Sequence, residues 1–135
     1  MAEENTETVE LLHRELTYQI IGAFREVYNG LGWGFLESVY HRAMEVVLTR
    51  RGIPYVPERV LPVHFEGHLL GHFRADFVVD GRVVVELKAA DRFHPAHEAQ
   101  LLNYLRASGL QVGLLLNFGP TPQHRRMIWT RHRRN

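Results

Sequence analysis

Apolar residues Leu12, Leu16, Ile20, Phe24 and Val27 recur at every third or fourth position between Thr8 and Tyr28, the spacing of one face of an α-helix. Asn29-Gly30 and Gly32-Trp33-Gly34 end that pattern. A second helical pattern runs from Leu36 to Arg51, with Val39, Tyr40, Met44, Val47 and Leu48 as its inner side and Gly52 placed for its C-terminal cap. Pro54 and Pro57 then forbid further helix. From there strands are predicted: Val60 to Phe65, a turn at Glu66-Gly67, Leu69 to Val79, a tight turn at Asp80-Gly81, and Arg82 to Lys88. The run Val83-Val84-Val85-Glu86-Leu87 is apolar on both faces apart from one carboxylate, which suits a central strand covered on both sides. Pro95 fits the first turn of a third helix reaching Ala107 and closed by Gly109. Val112 to Phe118 reads as another buried strand. After the turn at Gly119-Pro120-Thr121-Pro122, Arg126 to Trp129 reads as a last edge strand. This order predicts an α/β sandwich with a mixed sheet of four to five strands flanked by helices. A single domain over residues 1–135 is expected, with 1–7 and 131–135 as flexible ends.

Composition narrows the function. With 45% hydrophobic and 23% charged residues the chain is a folded globular one. A net charge of +1 excludes a strongly basic coat protein for nucleic acid but leaves room for a local basic groove. The absence of Cys removes disulfides, thiol catalysis and thiolate metal sites. No apolar run approaches the roughly 20 residues of a membrane helix. The start is acidic, at Glu3, Glu4, Glu7 and Glu10, and lacks the profile of a secretory signal, so the cytoplasm is the expected compartment. One number stands out. Of the 16 basic residues Lys88 is the only lysine. An ammonium can be brought to give up its proton, whereas a guanidinium stays charged.

Lys88 lies two residues after Glu86, so both point to one face of the same strand. Asp76 lies on the preceding strand, and its face depends on the hairpin between them. A two-residue loop at Asp80-Gly81 would pair Asp76 with Val85 and set the two carboxylates on opposite faces. A three-residue loop, or a bulge with Gly81 in the left-handed region, restores the match. Two carboxylates converging on one face make an oxygen-rich site for Mg²⁺ or Mn²⁺. A lysine beside such an ion can orient or deprotonate the attacking water. The competing reading is a salt-bridged sheet edge, and the Val-rich setting weighs against it, because an unpaired carboxylate is costly to bury. His97, Gln100 and Tyr104 share one face of the third helix, and Glu37 and Tyr40 form a similar pair on the second. Each set has a purely structural alternative: a polar edge of a packing helix for Gln100 and Tyr104, and a favourable helix-dipole position for Glu37.

The segment Gly34-Phe35-Leu36-Glu37-Ser38-Val39-Tyr40 resembles the signature of the GxxExxY proteins, a compact branch of the PD-(D/E)XK nuclease superfamily. The resemblance continues through Arg74 to Phe77, Val85 to Ala89, His97 to Leu105 and Val112 to Gly119. It implies a restriction-endonuclease-like core. It implies Asp76 and Glu86 as metal-binding carboxylates, the backbone carbonyl of Leu87 as a third ligand, and Lys88 as the catalytic lysine. Glu37 resembles a helix carboxylate that helps hold metal in some members. Gln100 resembles the polar helix residue that orients the site or touches the phosphate backbone, supported by Tyr104, and Tyr40 and His97 are expected beside the substrate. The proline that gives the superfamily its name is Ala75 in this chain.

The reading is therefore a Mg²⁺- or Mn²⁺-dependent nuclease acting on DNA. Its rivals are a non-catalytic nucleic-acid-binding or assembly module and a small-molecule phosphoesterase. A small core can also build its groove across a two-fold axis, so a homodimer is compatible with the sequence. Three further features have plainer readings. His64, His68 and His72 are interrupted by the turn at Gly67 and read as polar positions on half-exposed strands rather than a zinc site. Arg125, Arg126, Arg131, Arg133 and Arg134 read as a solvated terminus, with phosphate contact as the alternative. Trp33 and Trp129 read as packing residues, with base-stacking platforms as the alternative.

Overall fold

The computed structural model describes residues 13–130. Helix α1 spans Arg14–Leu31 and α2 spans Glu37–Arg50. Strands β1 (Tyr55–Phe65), β2 (His68–Val79) and β3 (Val83–Lys88) follow, then α3 (Pro95–Ser108), β4 (Val112–Phe118) and β5 (Pro122–Ile128). The part of the first helical pattern before residue 13, with Leu12, lies outside the described residues, as do 131–135.

The five strands form one sheet in the order β1-β2-β3-β4-β5. Only β3 and β4 run parallel, and α3 connects them. This is the mixed sheet with flanking helices expected from the sequence. On one face Leu16, Ile20, Phe24 and Val27 of α1 and Tyr40, Met44, Val47 and Leu48 of α2 pack on Phe77, Val79, Val83, Val85 and Leu114. Each such large side chain stabilises the fold by roughly 1.5–3 kcal/mol. The other face is covered by α3, whose Leu101 and Leu105 meet Val78, Val84 and Leu115. Gly113 on β4 permits that approach, because a Cβ there would sit 2.9 Å from a Leu101 methyl.

Some boundaries differ from the expectation. The strand expected from Val60 begins at Tyr55 and runs through Pro57. Pro57 is tolerated because β1 is an edge strand, where a missing N–H faces no partner. The last strand begins at Pro122 rather than Arg126, because Phe118 pairs directly with Pro122 across a short turn. Val39, expected on the inner side of α2, is exposed.

The β2–β3 connection decides the site. Val79 pairs with Val83, Val78 with Val84 and Phe77 with Val85, so three residues, Asp80, Gly81 and Arg82, form the loop. Asp80 and Gly81 both take positive φ, at 52° and 66°. Aspartate tolerates that conformation moderately well and glycine adopts it without strain. The loop has the odd length that sets Asp76 on the face of Glu86. The β2–β3 ladder stops at Phe77 and Val85. Beyond it β2 pairs with β1 alone, as an arm that leaves the main sheet. A fork results between β2 and β3.

Candidate active site

The carboxylates take over where the backbone ladder ends. Leu87 N–H donates to Asp76 Oδ2 at 2.7 Å, and Asp76 N–H donates to Glu86 Oε2 at 3.1 Å. Each side chain thus caps the other's strand across the fork. Val78 and Val84 both pack beneath α3, so Asp76, Glu86 and Lys88, two and four positions further along their strands, face the same side.

The electrostatics are unfavourable for anions. Glu86 is only 7% exposed. Burial, then the Asp76 charge, pushes its carboxyl up to about 8, against the pull of the Asp76 N–H and Lys88. Asp76 is also raised, by burial and by Glu58, although the Leu87 N–H, His41 and Lys88 oppose this. Glu37 stands at the exposed rim, at the N-terminus of α2. Partial loss of water and the Asp76 charge raise it, while Lys88, His41 and the Ala89 N–H pull the other way. Three acids held above their ordinary range beside one ammonium form a strongly perturbed cluster, as expected at a functional site.

The other residues expected at the site divide. Tyr104 lies on α3 with its ring stacked on Phe73 at 3.8 Å and 6°. Burial, Glu86 and Asp76 raise its hydroxyl pKa, which places it within electrostatic reach of the fork. His97 closes a capping box with His94 at the start of α3, and burial and Lys88 lower its pKa. Gln100 is exposed one turn before Tyr104. Tyr40 requires a correction. It is fully buried and stacks on Phe118 at 4.2 Å. Its hydroxyl donates to Gly32 O at 2.6 Å and accepts from Phe35 N–H at 3.2 Å. A phenol so enclosed braces the Gly32–Phe35 loop and has no surface left for substrate. Trp33 requires another: it is 59% exposed and not a packing residue. Trp129 is half-buried against the α3 side of the core.

Sequence reasoning missed three neighbours of the site. His41 stacks on Phe77 at 4.4 Å and bridges Glu45 (3.1 Å) to the Asp76 carbonyl (3.2 Å). Glu58 falls between the Pro57–Phe77 and Arg59–Ala75 pairs of the β1–β2 ladder, level with Asp76, with φ at 51°. Glu37, His41, Arg42, Glu58 and Asp76 line a cleft of about 800 Å³ between α2 and the arm. Asn117, beside Lys88 in the parallel ladder, holds Ala90 by both backbone groups at 2.9 Å. Asn117 alone had a legible signal, being the single polar residue in an apolar strand.

Among the described residues, no three carboxylate or imidazole groups converge as a ready metal cage. His64, His68 and His72 stay spread along the exposed arm. Arg125 pairs with Glu98 at 3.1 Å and lies over Phe93, while Arg131, Arg133 and Arg134 fall outside the described residues.

A mixed sheet forked at its centre, with two interlocked carboxylates and a lysine on one face, defines a restriction-endonuclease-like fold. The chain belongs to the PD-(D/E)XK nuclease superfamily, whose family profile matches residues 14–130. That family implies hydrolysis of phosphodiester bonds in nucleic acid, and its nucleases typically use divalent metal ions. The fold is similar to that of SSO0001, with a TM-score of 0.54 at 19% identity over 86% of this chain; the chain spans 60% of that protein. It is also similar to an alkaline exonuclease from Laribacter hongkongensis, with a TM-score of 0.53 at 8% identity over 96% of this chain and 73% of that one. No curated protein matches the sequence.

Proposed function

We propose that this protein is a Mg²⁺- or Mn²⁺-dependent nuclease of the GxxExxY branch that hydrolyses phosphodiester bonds in DNA, acting as a single domain. The observation that carries this reading is the interlock of Asp76 and Glu86 across the β2–β3 fork, with Lys88 on the same face. The residues fit a hard divalent ion. Each carboxylate has one oxygen held by a backbone N–H, and the second is available. Both acids are raised because they are buried with too little positive charge nearby, the deficit a cation would fill. Asp76, Glu86 and the Leu87 carbonyl would hold the ion, with Glu37 at the rim as a further carboxylate. When bound, the ion supplies a Lewis acid that lowers the pKa of a water and polarises a phosphoryl oxygen.

The remaining chemistry belongs to the chain. Lys88 orients the attacking water with its ammonium. Gln100 and Tyr104 flank the scissile phosphate from α3, and His97 stands at the start of that helix. His41 fixes the Asp76 backbone, so the carboxylate is held in place before substrate arrives.

The test is cleavage of plasmid and single-stranded DNA by purified protein with Mg²⁺ or Mn²⁺, beside Asp76→Ala, Glu86→Ala, Lys88→Ala and Lys88→Arg. Each is expected to fold and to lose about 10²-fold or more in rate. Cleavage that survives all four substitutions sinks the mechanism, and wild-type cleavage by Lys88→Arg removes the role given to the ammonium.

A further inference from the structure

On the other side of Glu37 from the large cleft lies a narrow slot of about 180 Å³ that the hydrolytic chemistry does not use. Its lips are Trp33 and Phe35, and its floor is formed by Ala89, Ala90 and Gly119, with Asp91 at the rim. Trp33 and Phe35 are 59% and 47% exposed, unusual for rings on a well-braced loop. The loop is held from below. Gly32 and Gly34 take φ of 72° and 112°, a path that side-chain-bearing residues rarely follow. Tyr40 bonds to both Gly32 O and Phe35 N–H, and the Phe35 ring packs edge-on to Tyr40.

The floor is equally rigid. Asn117 clamps Ala90 by two hydrogen bonds, and a Cβ on Gly119 would stand 2.2 Å from the Ala90 carbonyl oxygen. These residues follow Lys88 directly in the chain, and the Ala89 N–H reaches the Glu37 carboxylate. The slot is therefore continuous with the candidate active site.

We infer that Trp33 and Phe35, with the Ala89–Asp91 floor, form a stacking subsite for one unpaired nucleobase next to the scissile phosphate. The inference rests on the nuclease reading and adds the substrate class: a strand unpaired at the cleaved position. Its volume is below the roughly 300–1,000 Å³ of pockets that enclose drug-sized molecules, a scale suited to a single planar ring system. Aromatic rings stack on bases without regard to sequence. Asp91 repels phosphate but accepts hydrogen bonds from exocyclic amines, so the slot favours a base over a backbone anion.

The test labels the protein with 5-fluorotryptophan and follows its two ¹⁹F resonances in EDTA, where no cleavage occurs, with Trp33→Phe giving the assignment. A short single-stranded oligonucleotide should shift the Trp33 resonance, and a blunt duplex should not. Trp33→Ala should bind the single strand about 5- to 150-fold more weakly, from the ~1–3 kcal/mol per stacked base, and Trp33→Phe should keep most of the affinity. A silent Trp33 resonance at saturation, or wild-type affinity in Trp33→Ala, overturns the inference. An equal shift with duplex overturns the unpaired base. A loss of self-association in Trp33→Ala with oligonucleotide binding unchanged overturns it too, and gives the slot to a second copy of the chain. Binding in EDTA is independent of turnover. A Trp33 response in a protein that never cleaves upholds the slot and refutes the nuclease, and cleavage with a silent Trp33 does the reverse.

Discussion

Replacing Glu86 with glutamine should stabilise the metal-free protein increasingly as pH rises. The carboxyl goes from an ordinary 4.5 in the unfolded chain to about 8 in the fold. The sign follows from proton counts. Below about pH 4.5 Glu86 is protonated in both states and costs nothing. Between about 4.5 and 8 the unfolded chain releases the proton and the folded chain keeps it, so stability falls with rising pH. Above about 8 the penalty is constant. At 1.36 kcal/mol per unit, the folded wild type loses roughly 2–3 kcal/mol between pH 5 and pH 7 through this group alone. Glutamine keeps an oxygen to accept the Asp76 N–H and does not titrate. Its amide N–H₂ adds a donor that needs a partner, but that contribution is the same at every pH. The readout is therefore the slope of the difference between variant and wild type, not its absolute value. Urea unfolding followed by far-UV circular dichroism in EDTA, at pH 5, 6, 7 and 8, measures it. The variant's advantage should grow by about 2–3 kcal/mol from pH 5 to 7, equivalent to roughly 10 °C in Tm. A difference that stays flat within about 0.5 kcal/mol would refute the account of Glu86 as a buried, under-compensated acid.

Other substitutions probe neighbouring parts of the argument. Mn²⁺ should raise the Tm of the wild type, by about 2.7 kcal/mol of stabilisation at one hundred times its Kd. Asp76→Ala and Glu86→Gln should show little of that shift, and a full shift in both would move the ion elsewhere. Tyr40→Phe should cost about 1–3 kcal/mol in stability, because Gly32 O and Phe35 N–H lose their partner. It should leave Mn²⁺ affinity by calorimetry unchanged, and a large loss of affinity would return Tyr40 to the site. Gly119→Ala forces a methyl group toward the Ala90 carbonyl, 2.2 Å from the ideal Cβ position. It should lower Tm and displace the segment after Lys88, whereas an unchanged Tm would show that the segment yields freely.

Much of the site was legible because strand parity is strict. Glu86 and Lys88 share a face by their spacing alone, whatever surrounds them. Asp76 was conditional on the hairpin, and the three-residue loop supplied the answer that Asp80-Gly81 left open. The buried strands read clearly because Val83 to Leu87 and Val112 to Phe118 are apolar on both faces. β1 did not, since a pattern-breaking proline hides an edge strand that tertiary pairing with β2 sustains. For Tyr40 the helical spacing, which placed it on the inner side of α2, was the better guide than its pairing with Glu37, since the ring is buried against Phe118. Trp33 sits on an exposed loop that no periodicity reads. His41 and Glu58 acquire their positions only when α2 and β1 are brought against Asp76. No local pattern encodes either contact.

The fork also explains why the site and the fold pull against each other. A continued β2–β3 ladder would satisfy the backbone at residues 76 and 87 with main-chain partners. Here two carboxylates serve as those partners, which stabilises the strands only while the acids accept hydrogen bonds. That arrangement keeps them fixed and buried, and burial raises both. Across from Asp76 the backbone departs from comfortable geometry, with Glu58 at positive φ, costing on the order of 1 kcal/mol. A chain selected for stability alone would place amides or apolar residues at 76 and 86. Glu37 and Lys88 would be poor compensation for that loss, since one adds negative charge and the other supplies a single ammonium for three acids. A divalent ion held as proposed would offset the imbalance, because it would neutralise the two carboxylates that the hydrogen bonds already hold. The pH slope of Glu86→Gln measures the buried acid in the absence of metal, and the Mn²⁺ shift of the wild type tests separately whether the same carboxylates bind an ion.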